Sequence, residues 1–525
     1  MNKEKKKYYL FFVVLLLFCT AKAFAVNTPD YDLWARLLVG KHFFQTFSLM
    51  TQDIFSYTPT HFWYDHEWGS SVVFYGVLKY FGDHGLVILK ALLMFSVMFI
   101  IHKCIELRGV KSTKTYNILF YIFTFLASFQ IFAGTIRCHL FTFLFFTLWI
   151  YLLERVRNGE KKWLYYFPFM MIFWNNLHGG CVSGIGLLVI YIIGEFLNKK
   201  PVKDYLVSLL LSCFALLINP YGPKYIEFLL KATTMKRPLI TEWRGTFDKY
   251  YLYDYIKFKA FFIVMVLSAV IAPIKEKISY SKLDKTKYLL LLVTAYLSIS
   301  HIKHQPFFVI SAAIFLYDDF YFAFNSLTKK IREIFKIKSE RIIARFVFAK
   351  ELFVYSLIIL VSIVYLAKND GEIKISKYKY PIFAVEFVRL NHLKGNLFVD
   401  FSYGSYAAYK LYPNNLIVMD GRYEEVYYPE LLEELRDFHQ AKKSNWQKII
   451  TDYKTDVIII EKKYPAYKKL ISDKKWSKVF EDSDFAVLIP QDGKIIDYIY
   501  PPNYSSYYDA TKFSTDVDFL DKKSK

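Results

Sequence analysis

The chain has 525 residues, of which 54% are hydrophobic and 20% aromatic. That is too apolar for a soluble protein of this size, and repeated apolar runs of about 18 residues or more read as membrane-spanning helices. The net charge of +21 does not point to nucleic acid: Lys and Arg sit in short loops between apolar runs, as membrane topology demands, and the sequence holds no Gly-rich phosphate loop or nucleic-acid module.

The first segment joins "KEKKK" to an apolar run ending in "AKAFA". Ala23 and Ala25 fit a small-x-small cleavage site, but a retained helix is the expectation, because a polytopic protein needs no cleavage. In chain order about eleven spans are expected: 8–25, 84–102, 115–134, 139–154, 163–178, 181–197, 204–219, 258–274, 287–300, 305–324 and 350–367. The stretch 71–82, "SVVFYGVLKYFG", is too short to span and reads as a helix lying along the outer interface. Every second loop is rich in Lys and Arg, from "HKCIELRGVKSTK" to "NSLTKKIREIFKIKSERIIAR". That alternation places the N-terminus in the cytoplasm and everything after the last span outside. The five cysteines show neither zinc spacing nor a disulfide framework.

After residue 368 the composition changes. "NLFVDF", "LIVMDGR", "DVIIIE" and "FAVLIP" read as short buried strands, with "PELLEELRDFHQAKK" and "NWQKIITDYK" as helices between them. The expected fold class is a polytopic α-helical membrane protein with a small C-terminal α/β extracytoplasmic domain. Its parts are a transmembrane domain at 1–330 with a first outer loop at 26–83, and a basic linker plus last span at 331–374. An α/β domain at 375–490 and a poorly ordered tail at 491–525 follow.

Sorted by this topology, the inner side holds mostly Lys and Arg. Of the eleven histidines only His102 falls inside. Asp30 and Asp32, "WYDHEW" (Trp63–Trp68), "IRCH" (Ile136–His139), "WNNLHGG" (Trp174–Gly180), "INPYG" (Ile218–Gly222), "ITEWRG" (Ile240–Gly245) and "HIKHQP" (His301–Pro306) all fall on the outer side. Topology does not require this concentration, and one polar site at the outer leaflet accounts for it. Each piece also has an ordinary reading. Asp30 fits the cap of a short helix at 31–39. The tryptophans fit an interfacial belt. His301 and His304 share a helical face and suit a metal, but no third ligand is near in sequence. "NPYG" is a helix end with a turn, and "HGG" a tight turn. Asp420 and Arg422 in "MDGR" fit a strand-end turn held by an internal ion pair. Arg137 is harder to dismiss, because a lone Arg between two closely connected spans is costly unless paired. A carboxylate or a lipid phosphate suits it.

The order of these pieces resembles the GT-C superfamily of integral-membrane glycosyltransferases. Within it, the chain is most similar to a bacterial branch related to protein mannosyltransferases. That branch reads "D-x-D-x-W-W-H-L-x-x-G", "D-x-F-S-Y-T" and "W-x-x-H-E-W"; this chain has "DYDLWARLLVG", "DIFSYT" and "WYDHEW", followed by "NLHGG", "NPYG" and "EW". The resemblance covers roughly 8–330, and "MDGRYEEVY" (Met419–Tyr427) extends it to the outer domain. It departs at Ala35-Arg36, where the branch has Trp-His. The oligosaccharyltransferase signature "W-W-D-Y-G" is absent, which argues against whole-glycan transfer to Asn.

The resemblance implies a multi-pass enzyme of the bacterial inner (cell) membrane that takes a sugar from a polyprenyl-phosphate donor. The acceptor is a lipid, glycan or protein in the cell envelope, and nucleic acid is not a partner. It gives the base role to Asp32, with Asp30 second, and makes Glu67 and His66 candidates for orienting the base or acceptor. Arg137, Arg36 and Arg244 are candidates for the lipid phosphate. Trp34, Trp68, Asn176, His178, Tyr221 and Glu242 are candidates for substrate contact. Members with and without a divalent metal exist, so the metal stays open and no other cofactor is implied. Three other classes stay open: a glycan polymerase or ligase, a transporter or flippase of lipid-linked sugars, and a scaffold acting through its outer domain. The flippase would call for mid-membrane charges and inverted repeats, and neither is seen in the sequence.

Overall fold

The computed structural model describes residues 3–109, 114–128, 131, 134–235, 237, 240–277, 279–334, 340–369, 371–376 and 378–491. The expected tail therefore lies outside the described residues, apart from Gln491. The chain forms two compact units. One comprises 1–26, 89–133 and 138–370; the other comprises 27–88, 134–137 and 371–525.

The first unit is helical. Helices α1 (Lys3–Ala25), α3 (Trp68–Leu107, which enters the unit at 89) and α4 (Lys114–Ala127) are followed by His139–Arg157, Phe167–Leu177, Val182–Leu197, Lys203–Ala215 and Pro223–Thr234. Then come Ile256–Lys275, Lys285–Ser300, Gln305–Phe315 with Tyr317–Ile334, and Glu340–Lys368. A helix thus stands at each expected span. Among the described residues, four helices are long and apolar enough to cross a membrane, or five if the pair bent by 67° near Leu316 counts as one. Large apolar side chains such as Phe196, Leu210, Phe214 and Ile274 are exposed, which is costly in water but not in lipid.

The cations of the basic loops also have a packing role. Arg157 meets Glu154 at 3.0 Å, Glu195 at 2.9 Å and Asp284 at 2.9 Å, and Asp284 caps Lys285–Ser300. Lys287 meets Asp319 at 2.5 Å. Most of these charges are buried, so each needs its partner.

The second unit is built on a five-stranded sheet, ordered β2-β1-β3-β5-β4. The strands are β1 (Gly395–Phe398), β2 (Asn415–Ile417), β3 (Val457–Glu461), β4 (Trp476–Glu481) and β5 (Phe485–Pro490). β1 pairs in parallel with β2 and β3, and β5 runs antiparallel to β3 and β4. Four strands coincide with apolar runs in the sequence. β4, "WSKVFE", lacks such a run because it is a partly exposed edge strand. Helix Phe401–Leu411, capped by Asp400, connects β1 to β2; its Gly and two Ser hide it from periodicity.

The first loop folds with this sheet. Ile417 N–H donates to Phe55 O at 2.9 Å, and Tyr57 N–H donates to Ile417 O at 3.1 Å. The loop thereby covers the edge of β2, which would otherwise leave unpaired backbone groups. Helix α2 (Tyr31–Thr46) packs on the start of α3, where a Cβ on Gly40 would stand 2.2 Å from Ser71 O. α3 is broken by Gly82 at φ 64°, so 68–81 is a separate helix, as its length suggests. Trp34, Trp63, Phe55, Tyr380 and Tyr427 fill the core.

Candidate functional site

Helix α2 begins at an Asp N-cap. Asp30 Oδ1 accepts the backbone N–H of Asp32 at 3.0 Å, as the sequence suggests, though the helix runs on to Thr46. Asp32 then sits in the first turn, where the helix dipole favours a carboxylate. Residues 134–137 run beside this cap: Thr135 N–H donates to Thr28 O at 2.9 Å, and Asp30 N–H to Thr135 Oγ1 at 3.3 Å. That pairing delivers Arg137. Its Nη2 lies 2.6 Å from Asp32 Oδ2, and its Nε 3.5 Å from Asp30 Oδ1. The Asp32 side chain is half exposed. Sequence reasoning asked for a partner for Arg137, and the acidic pair supplies it.

A second cluster lies further along α2. Arg36, one turn after Asp32, meets Asp65 at 2.5 Å and Glu67 at 3.4 Å. His66 Nδ1 lies 3.3 Å from Glu425 Oε1, and Nε2 lies 3.8 Å from Glu67 Oε1. Trp63 Nε1 donates to Glu425 Oε2 at 3.0 Å. Burial pulls the His66 imidazole down, but Glu425, Glu67 and Asp65 outweigh it and raise it to about 9. Burial likewise opposes the charge of Glu425, yet His66 and Arg36 hold that carboxylate below the ordinary range. His66 is therefore an imidazolium at neutral pH, suited to hold an anion or a hydroxyl oxygen rather than to take a proton.

Two of the candidates are buried within the fold. Arg36 is buried between Asp65 and Glu67, so it is engaged within the fold rather than presented to a lipid phosphate. Trp34 is 1% exposed, with its ring against Tyr380, Tyr406 and Tyr409, so it presents no face to a sugar. Trp68 stays half-buried near Phe43.

The remaining candidates belong to the helical unit. His178 caps a short 3-10 turn, Gly179–Cys181, with Nδ1 2.7 Å from Thr142 Oγ1 and accepting Gly180 N–H at 3.0 Å. Asn176 Nδ2 donates to Ile172 O at 2.8 Å and Ile218 O at 2.9 Å. In the "NPYG" turn the backbone N–H of Tyr221 donates to Asn219 Oδ1 at 2.7 Å. Glu242 lies in a 3-10 turn, Thr241–Trp243, and the Arg244 guanidinium stacks 4.6 Å from the Tyr250 ring centre. His301 Nδ1 meets Trp243 O at 2.7 Å.

Sequence reasoning missed Glu425 and Asp53. Arg422 forms the expected pair with Asp420, Nη2 to Oδ2 at 2.9 Å, but its Nη1 also meets Asp53 Oδ1 of the first loop at 2.9 Å. No local pattern links residues so far apart; the signals were the acids in "MDGRYEEVY" and the Asp that opens "DIFSYT". Among the described residues, no group of three or more His, Cys, Asp or Glu is placed to hold a metal ion.

No family model matches the chain, and no curated protein sequence does. Solved structures do. An apo crystal structure of the oligosaccharyltransferase of Archaeoglobus fulgidus aligns with TM-score 0.59 at 9% identity, covering 88% of this chain and 70% of that one. The archaeal oligosaccharyltransferase AglB from the same organism, in complex with an inhibitory peptide and a dolichol-phosphate, aligns with TM-score 0.56 at 10% identity, covering 87% and 70%. At such identities the likeness is one of fold. This chain has a fold like that of the archaeal oligosaccharyltransferase, with the membrane-protein character of its apolar helices.

Proposed function

We propose that this protein is a membrane glycosyltransferase that moves a sugar from a polyprenyl-phosphate donor to a hydroxyl acceptor at the outer face of a bacterial membrane. The observation that carries the reading is the Asp30–Asp32–Arg137 group at the start of α2, in a chain folded like an enzyme solved with a dolichol-phosphate. The acceptor oxygen attacks the anomeric carbon. A new C–O bond forms as the bond from that carbon to the phosphate oxygen breaks, and the electron pair leaves on the phosphate. The acceptor proton passes to Asp32, the general base. Arg137 balances the paired carboxylates at rest and stabilises the departing phosphate. Asp30 holds Asp32 in place through the cap. The missing "W-W-D-Y-G" separates this chain from transfer of a whole glycan to Asn and favours a simpler acceptor.

The test is Asp32→Asn in purified protein given a lipid-linked sugar. The expected outcome is loss of transfer by about 10²–10⁴-fold with the protein still folded in the membrane fraction. Full activity in that variant removes Asp32 as the base.

A further inference from the structure

The two carboxylate oxygens of Asp32 face different neighbours. Oδ2 meets Arg137. Oδ1 faces Gly421, in the "MDGR" turn after β2: a Cβ built on Gly421 would lie 3.6 Å from Asp32 Oδ1, with no other atom of the described residues, its chain neighbours aside, within 4 Å. Gly421 is exposed and its φ lies outside the left-handed region, so the turn does not need glycine for its conformation. What glycine provides is space beside the carboxylate.

The width of that space is fixed. Arg422 N–H donates to Asp420 Oδ1 at 3.1 Å, Ser405 Oγ donates to Asp420 Oδ2 at 2.9 Å, and the Arg422 guanidinium is held between Asp420 and Asp53. All three charged residues are almost completely buried. One helical turn on, Glu425 holds His66. A single short segment, 420–425, therefore anchors the first loop, charges His66 and borders Asp32.

We propose that this turn of the C-terminal part forms the acceptor side of the site, with Gly421 as the residue that sets how bulky a hydroxyl compound can reach Asp32 Oδ1. The inference rests on the reading of Asp32 as the base. Arg137 meets Oδ2, the side on which the leaving phosphate would lie, and Gly421 borders Oδ1, the side on which the acceptor would lie. The acceptor must then enter over Gly421. A side chain there would exclude a sugar or lipid alcohol before it excluded a small alcohol.

Two measurements on the full chain in detergent test this. In the first, a short polyprenyl-phosphate-linked hexose is the donor, and methanol or methyl glucoside the acceptor, for wild type and for Gly421→Ala, Gly421→Val and Gly421→Leu. Transfer to methyl glucoside should fall about tenfold or more relative to methanol as the side chain grows, a size discrimination of the usual order. A ratio constant across the series overturns the proposal. In the second, Gly421→Cys in a Cys213→Ser background is labelled with cationic and anionic thiosulfonates. The Asp32 charge should favour the cationic over the anionic reagent by about 30-fold, about fivefold from attraction of the one and about fivefold from repulsion of the other, and Asp32→Asn should abolish the preference. Equal labelling of the Asp32-containing protein also overturns it. If labelling shows the preference but Asp32→Asn does not impair sugar release from the donor, the placement of Gly421 stands and the reading of Asp32 as base fails instead.

Discussion

Arg137 Nη2 stands 2.6 Å from Asp32 Oδ2, across 105 residues of sequence. The guanidinium also reaches Asp30, so one cation balances two acids at the mouth of α2. Replacing it leaves two carboxylates without that cation and, on the proposed mechanism, the departing phosphate without a donor. Arg137→Ala should lower transfer by about 10²–10³-fold, the range for removing one charge-stabilising donor. Arg137→Lys should recover part of the loss, since Lys keeps the charge but not the two-pronged geometry. Steady-state rates with a lipid-linked sugar check both.

On the proposed mechanism Asp30 acts through Asp32 rather than on the substrate. Asp30→Asn keeps a capping oxygen and removes only the charge, so it should impair turnover less than Asp32→Asn. A comparison of kcat in the two variants, with circular dichroism to verify folding, distinguishes the roles. Equal losses would make Asp30 a second participant in the chemistry.

His66 is raised to about 9 from an ordinary value of 6.5 because Glu425, Glu67 and Asp65 outweigh its burial. A group raised on folding contributes stability that is fully present below about pH 6.5 and is lost as pH rises through about 9. The apparent Tm of the purified protein should therefore decline over that window. Glu425→Gln weakens the attraction and should flatten the decline. An unchanged slope in that variant would show that another group carries the dependence.

Arg422 is 3% exposed between Asp420 and Asp53, both 0% exposed. Removing the cation strands two buried carboxylates. Arg422→Met should cost about 3–5 kcal/mol, as breaking buried pairs does, measured as a lowered unfolding midpoint in denaturant. The triple variant with Asp420→Asn and Asp53→Asn should recover much of it, because no charge is then left unpaired.

Much of this protein is legible along the chain because its physics is local. Apolar runs, the alternation of basic loops and the buried strands follow from composition over about 5–20 neighbouring residues, and four or five of the helices among the described residues are long and apolar enough to cross a membrane. The cap at Asp30 was readable for the same reason. Strand β4 and helix Phe401–Leu411 were not, because a half-exposed edge and a Gly-containing helix carry weak periodicity. The sequence by itself determined that Arg137 needs a partner. Only the tertiary structure decided which. It paired Arg137 with the acids, buried Trp34 and Arg36, and placed Gly421 against Asp32 and Glu425 against His66. The reason is physical: an ion pair or a van der Waals contact depends on distance in space, and residues far apart in the chain leave no mark of it in one sequence.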